Sequence, residues 1–215
     1  MKPLAAGEQM TLYWSSRSPY VRYVTVVAHE CGLFDRLELK RVAVSPMRFH
    51  EEVSRYNPLG KIPVLVAQDG SSIVDSKMIC RFLDQNRTTP SSLIPAGDAL
   101  WMMTKLEAIG IGLADLGVGY VIDEFRLKGE PLTPPMLATR ERVSQVLDAL
   151  EELAPSLEGA PLHLGILAVA VALKYLDFRT GAAGDWRQGR PALARWFESV
   201  EKRPSLIATE FENVV

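Results

Sequence analysis

The feature that most constrains this chain is a change of apolar period near residue 90. Before it, short β-prone runs alternate with helical stripes, and beyond it every apolar pattern is helical. Strands that alternate with helices form a sheet covered by those helices. A run of helices alone must bury its faces on one another, so the pattern calls for two differently built parts. With 215 residues, the chain is long enough for two compact domains, each with its own core.

The first part reads βαβαββα. Residues 10–14 are β-prone, and the turn formers Ser15 to Pro19 break that run before a helical stripe at Val21, Val24, Ala28 and Cys31, ended by Gly32. A second strand is expected over residues 37–44. A helix carrying Phe49, Val53 and Tyr56 follows Pro46 and closes at Asn57-Pro58. A strand at residues 62–66, an Asp69-Gly70 hairpin turn, a short strand at Ile73-Val74 and a helix with Ile79, Phe82 and Leu83 complete the unit. The expected boundaries are a first domain over 1–87, a Pro- and Ser-rich linker over 88–98, and an all-helical domain over 99–215. In the latter, residues 100–127 read as one long helix or a kinked pair. Glycines 110, 112, 117 and 119 point to a kink or a close helix approach. Residues 164–173 are apolar on every face, as expected of a helix surrounded by others.

Composition removes several function classes. The balance of 24 Lys plus Arg against 26 Asp plus Glu provides no field for a nucleic-acid backbone or an anionic membrane. Cys31 and Cys80 sit in helical apolar patterns, with neither metal-type nor Cys-x-x-Cys spacing, and read as buried reduced thiols; no metal is expected. The opening residues lack an apolar segment of secretory length, and the 164–173 run is about half a membrane span, so a soluble cytoplasmic protein is expected.

Three features of the first part carry chemistry. Ser18 precedes Pro19 at a helix start, where backbone N–H groups and the positive end of the helix dipole would stabilise a thiolate. Lowering a thiol pKa by about two units takes about 2.7 kcal/mol, within reach of one or two charge-assisted hydrogen bonds plus the dipole. The alternative is a plain N-cap. Pro63 cannot donate to a ladder, so the strand opens beside Ile62, either as an ordinary edge or as a place where a ligand peptide pairs. Asp75-Ser76 opens the last helix. Ser76 as N-cap and Asp75 beside it could hold an α-amino acid head group, or the pair is simply a cap. A thiol site, a peptide-pairing site and an amino-acid site, in that order, describe the tripeptide glutathione.

The runs Leu12-Tyr13-Trp14-Ser15, Ser18-Pro19-Tyr20-Val21-Arg22, Asn57-Pro58-Leu59-Gly60-Lys61-Ile62-Pro63-Val64-Leu65 and Asp75-Ser76 resemble the glutathione-binding domain of bacterial glutathione S-transferases. The likeness continues in residues 172–179 and in Arg190-Pro191-Ala192-Leu193, so it covers nearly the whole chain. It implies a thioredoxin-like domain followed by a helical bundle, and a cis peptide at Pro63. It also implies main-chain pairing of Ile62 with the cysteinyl part of glutathione, Asp75 and Ser76 on the γ-glutamyl group, and Lys61 near the glycyl end. Ser18 matches the position that is cysteine in thiol-transferring relatives and serine in conjugating ones. Ser16, Ser15 and, more weakly, Tyr13 are competing activators. Trp14, Trp101 and Tyr120 are the expected substrate-pocket residues. The resemblance implies a homodimeric transferase of the detoxification type, with glutathione as co-substrate and an apolar electrophile as partner. A non-catalytic, glutathione-transferase-like binding protein is the alternative. One departure stands out: the central helix of the second domain, usually opened by Ser or Thr with Asp three residues on, has His163 and Ile166. No capping box is expected there, and packing alone is expected to hold that helix start.

Overall fold

The structure, a computed structural model, describes residues 4–5, 7–44 and 50–213. The chain divides into two compact units, one running to Pro95 and resuming at Ala208, the other spanning Ala96–Ile207.

The first unit is a four-stranded sheet of order β2-β1-β3-β4, built from β1 (Met10–Trp14), β2 (Leu37–Arg41), β3 (Val64–Val66) and β4 (Ser72–Val74). The β1–β2 pair is parallel, as a strand–helix–strand crossover through α1 (Pro19–Glu30) requires, and β3 is antiparallel to both β1 and β4. The helices α2 (Glu51–Tyr56) and α3 (Ser76–Gln85) complete the βαβαββα order read from the sequence. Tyr13, Val21, Val42, Val53, Ile62 and Val64 meet in one buried cluster. Gly32 ends α1 in the left-handed region at φ 68°, returning its N–H to His29 while Leu33 bonds to Ala28 at 2.8 Å.

Several boundaries differ from the sequence reading. β2 stops at Arg41 rather than 44, with one further bond from the Val42 N–H to the Trp14 carbonyl at 2.9 Å. Pro46 and Phe49 lie outside the described residues. Pro63 precedes β3 rather than interrupting it, so the ladder begins at the first residue that can donate. The expected linker is fastened down: Thr88 N–H bonds to the Cys31 carbonyl at 2.9 Å, and the buried Asp84 carboxylate accepts from Leu93 N–H at 2.6 Å and Ser92 hydroxyl at 2.7 Å. The C-terminal residues, expected with the helical domain, pack on the first unit instead.

The second unit contains α4 (Asp98–Leu127), α5 (Pro134–Leu157), α6 (Leu164–Phe178), α7 (Pro191–Val200) and the short α8 (Pro204–Ile207). α4 is one continuous helix, and two of its glycines have a packing reason. A Cβ on Gly110 would lie 2.5 Å from the Ala168 carbonyl carbon, and one on Gly165 of α6 would lie 2.8 Å from Leu106 Cβ, so the α4 and α6 backbones approach where neither carries a side chain. Gly117 faces the Tyr175 ring, whereas Gly112 and Gly119 face open space. α7 lacks its own side-chain cap, and Glu151 of α5 supplies one, accepting from Ala192 and Leu193 N–H at 3.0 and 2.7 Å.

The start of α6 corrects the sequence reading. Ile166 is buried, as expected, but His163 is a working N-cap: its Nδ1 accepts the Ile166 N–H at 3.2 Å. An imidazole nitrogen takes the role of the usual hydroxyl, which needs the neutral ring. Burial pushes the His163 pKa below the ordinary histidine value, in the same direction.

Candidate functional site

Strand pairing alone gathers the candidate residues. Tyr13 pairs with Val64 and Val64 with Val74, so the end of β1, the start of β3 and the end of β4 lie side by side. The turn from Ser15 to Ser18, the Ile62-Pro63 bend and Asp75-Ser76 therefore emerge at one end of the sheet, one strand spacing of about 4.8 Å apart in turn. The N-termini of α1 and α3 open at this same end, bringing two positive dipole ends to it.

Each segment is set locally. Ser18 is extended at φ −90° and caps α1, its hydroxyl oxygen accepting the Val21 N–H at 3.3 Å, with Pro19 in the first helical position. The two readings of Ser18 are compatible, because a hydroxyl that accepts from the helix keeps its own proton to donate. Ser15 closes the turn, its carbonyl accepting the Ser18 N–H at 3.2 Å and its hydroxyl the Arg17 N–H at 3.4 Å. Ser16 is buried and donates its hydroxyl to the Glu212 carbonyl at 3.1 Å, so its proton points at the tail.

The Tyr13 hydroxyl is engaged away from the Ser15–Ser18 turn. Its hydroxyl donates to Glu52 of α2 at 2.8 Å, and Lys40 bridges the same carboxylate. Burial first, then the hydrogen bond to Glu52, raises its pKa above the usual phenol value.

The Ile62–Pro63 peptide is cis. Ile62 and Pro63 are buried and Lys61 is exposed. Sequence reasoning missed the residue that shapes this bend. Asn57, itself buried, donates from Nδ2 to the Lys61 carbonyl at 2.8 Å and accepts the Leu59 N–H at 3.1 Å, while Gly60 turns the chain at φ 63°. An Asn before Pro with Gly three residues on is a turn signature that would have pointed to it.

At α3 the roles of the pair are exchanged. Asp75, not Ser76, is the N-cap, its Oδ1 accepting the Lys77 and Met78 N–H groups at 2.9 and 3.2 Å. Ser76 is the first helical residue and is buried. A carboxylate bonds two N–H groups at once and complements the dipole, which is why it displaces the serine from the cap.

The expected substrate residues are dispersed. Trp14 is half-buried, stacks under the Arg41 guanidinium at 5.0 Å, and lines a pocket of about 110 Å3 with Ser15, Phe34 and Leu39. Trp101 is 73% exposed on α4, whereas Tyr120 is 2% exposed and belongs to the core of the second unit. They stand nineteen positions apart on one helix, roughly 28 Å along its axis, so they do not line one small pocket. Among the described residues there is no group of three or more His, Cys, Asp or Glu able to hold a metal, and no helix long and apolar enough to cross a membrane.

The family model described as Glutathione S-transferase, N-terminal domain, matches residues 17–86, the segment that carries Ser18, the Ile62–Pro63 bend and Asp75-Ser76. The uncharacterized GST-like protein YibF of Escherichia coli (strain K12) is 30% identical over 203 residues, covering 94% of this chain and 98% of its own. A glutathione transferase family member from Pseudomonas fluorescens Pf-5, solved with bound glutathione, superposes with a TM-score of 0.84 at 33% identity, over 95% of this chain and 100% of that one. A glutathione S-transferase from Methylobacillus flagellatus KT, also with glutathione bound, gives 0.78 at 33% identity, over 94% and 99%. By fold, by sequence over nearly its full length, and by the placement of its first-unit motifs, the chain belongs to the bacterial glutathione S-transferase family.

Proposed function

We propose that the chain is a glutathione S-transferase that binds glutathione at the end of the first unit's sheet and activates its thiol through Ser18. The observation that carries this reading is the convergence of three differently suited groups at one sheet end: a helix-capping hydroxyl, a cis Ile62–Pro63 bend, and an acidic helix cap followed by a serine. In this reading the Ile62 main chain pairs with the cysteinyl residue. The unengaged side of Asp75 takes the γ-glutamyl ammonium, Ser76 donates to its carboxylate, and Lys61 lies toward the glycyl end. The ligand thiolate sits at the start of α1, where the Ser18 proton and the helix dipole stabilise it. The sulfur then attacks an electrophilic carbon of an apolar substrate, forming a C–S bond as the leaving group departs with its electron pair.

Relatives solved with glutathione, and with S-(propanoic acid)-glutathione, support this ligand. The reading includes a cytoplasmic homodimer. Exposed Trp101, Met78 and Leu137 are apolar surface of the kind that such an association covers. Retention on immobilised glutathione, followed by a spectrophotometric conjugation assay with an aryl halide, tests the proposal. Retention with turnover is expected, and retention without turnover would favour a binding protein that performs no chemistry.

A further inference from the structure

The turn that holds Ser18 is not closed by the first unit's own N-terminal residues alone. The last described stretch of chain returns to it and grips it at two points on either side of Ser18. At the first, Ser16 and Glu212 pair in both directions: the Glu212 N–H donates to the Ser16 carbonyl at 3.3 Å, and the Ser16 hydroxyl donates to the Glu212 carbonyl at 3.1 Å. At the second, Arg22, one helical turn beyond Ser18 and 4% exposed, donates from Nε to Thr209 Oγ1 at 3.4 Å. Its guanidinium also lies 3.9 Å from the Glu210 carboxylate and stacks over the Phe211 ring at 4.5 Å. A buried guanidinium must be compensated, and the tail supplies part of that compensation. Burial pushes the Arg22 pKa down to about 10, with Glu210 opposing the shift.

Resting on the functional reading above, we propose that residues 209–212 are a positioning element of the thiol site: by clasping Ser16 and Arg22 they fix the turn from which the Ser18 hydroxyl reaches the glutathione sulfur. The contacts at Ser16 use the tail's main chain, so register rather than side-chain identity at Glu212 holds that point. A hydroxyl that stabilises an anion must sit within a narrow range of distance and angle, and a turn freed at both ends loses that constraint while the proposed glutathione-binding residues before β3 and at the start of α3 stay in place.

The test uses the thiol pKa of bound glutathione, read from thiolate absorbance, together with glutathione affinity by calorimetry. The proteins compared are the wild type, Ser18→Ala, Glu212→Pro, the Ser18→Ala/Glu212→Pro double variant and a chain ending at Ala208. Glu212→Pro removes the N–H given to Ser16, and the shortened chain removes the whole clasp. Both should leave about tenfold less thiolate at a fixed pH below the pKa, a rise of about one unit, with affinity at that same pH changed less than about twofold. In the Ser18→Ala background, Glu212→Pro should add nothing, because the tail acts through that hydroxyl. Wild-type thiol pKa in both tail variants, or a tail effect that persists without the Ser18 hydroxyl, overturns the proposal. If the wild type itself fails to bind and ionise glutathione, the functional reading fails and the tail's role with it. If only the tail variants match the wild type, the reading stands and the tail's role alone is refuted.

Discussion

Replacing His163 by serine exchanges one cap of α6 for another that does not titrate, and that difference can be measured. The His163 Nδ1 accepts the Ile166 N–H at 3.2 Å, a bond open only to the neutral ring. An N-cap contributes about 0.5–2 kcal/mol, and a positive charge at a helix N-terminus costs about 0.3–1 kcal/mol more, so protonating His163 should weaken α6 by roughly 1–2 kcal/mol. Burial depresses the folded-state pKa, so this stability is present above the ordinary histidine value of about 6.5 and is lost as pH falls through the lower folded value. Urea unfolding of the wild type and His163→Ser at pH 7.5 and pH 5, followed by far-UV circular dichroism, isolates the effect, because every other titrating group is common to both. At pH 7.5 the two should agree within about 1 kcal/mol, and at pH 5 the difference should have moved about 1 kcal/mol in favour of serine. Parallel pH dependence would refute the cap.

Gly110→Ala should destabilise by about 1–3 kcal/mol in chemical denaturation, because its Cβ would meet the α6 backbone at 2.5 Å, whereas Gly112→Ala, with nothing within 4 Å, should stabilise by about 0.5–1 kcal/mol. Tyr13→Phe should lower stability by about 1 kcal/mol through loss of the bond to Glu52 yet leave kcat for conjugation within about twofold; a tenfold fall in kcat would return Tyr13 to the thiol site. Sedimentation should give about twice the 23.8 kDa chain mass, and a monomer at micromolar concentration would contradict the dimer.

The parts of the fold that the sequence made legible are those fixed by local pattern. The period change, the Asp69-Gly70 turn and the Gly32 stop are short-range signals, and each sits where local sterics place it. What the sequence hid depends on partners outside the local pattern. Glu151 capping α7 and Glu212 pairing with Ser16 join residues far apart along the chain, and Asp84 fastening residues 92 and 93 reaches across the end of its helix; none leaves a periodic trace. His163 was misread for another reason: an imidazole is an uncommon cap, so its residue type argued against a role that its geometry performs. Within the site, the candidate segments were visible as motifs, but the division of labour between Asp75 and Ser76 rests on which residue's oxygen reaches the N–H groups of Lys77 and Met78, a shift of one position in the helix start.

In the proposed function, Ser18, held at the N-terminus of α1, stabilises the glutathione thiolate. Titrating the thiolate absorbance of bound glutathione in the wild type and Ser18→Ala tests it most directly. The wild type should show a bound thiol pKa well below that of free glutathione, and the variant a value about one unit or more higher, with affinity measured below the bound pKa nearly unchanged. An identical thiol pKa in the two proteins would contradict it.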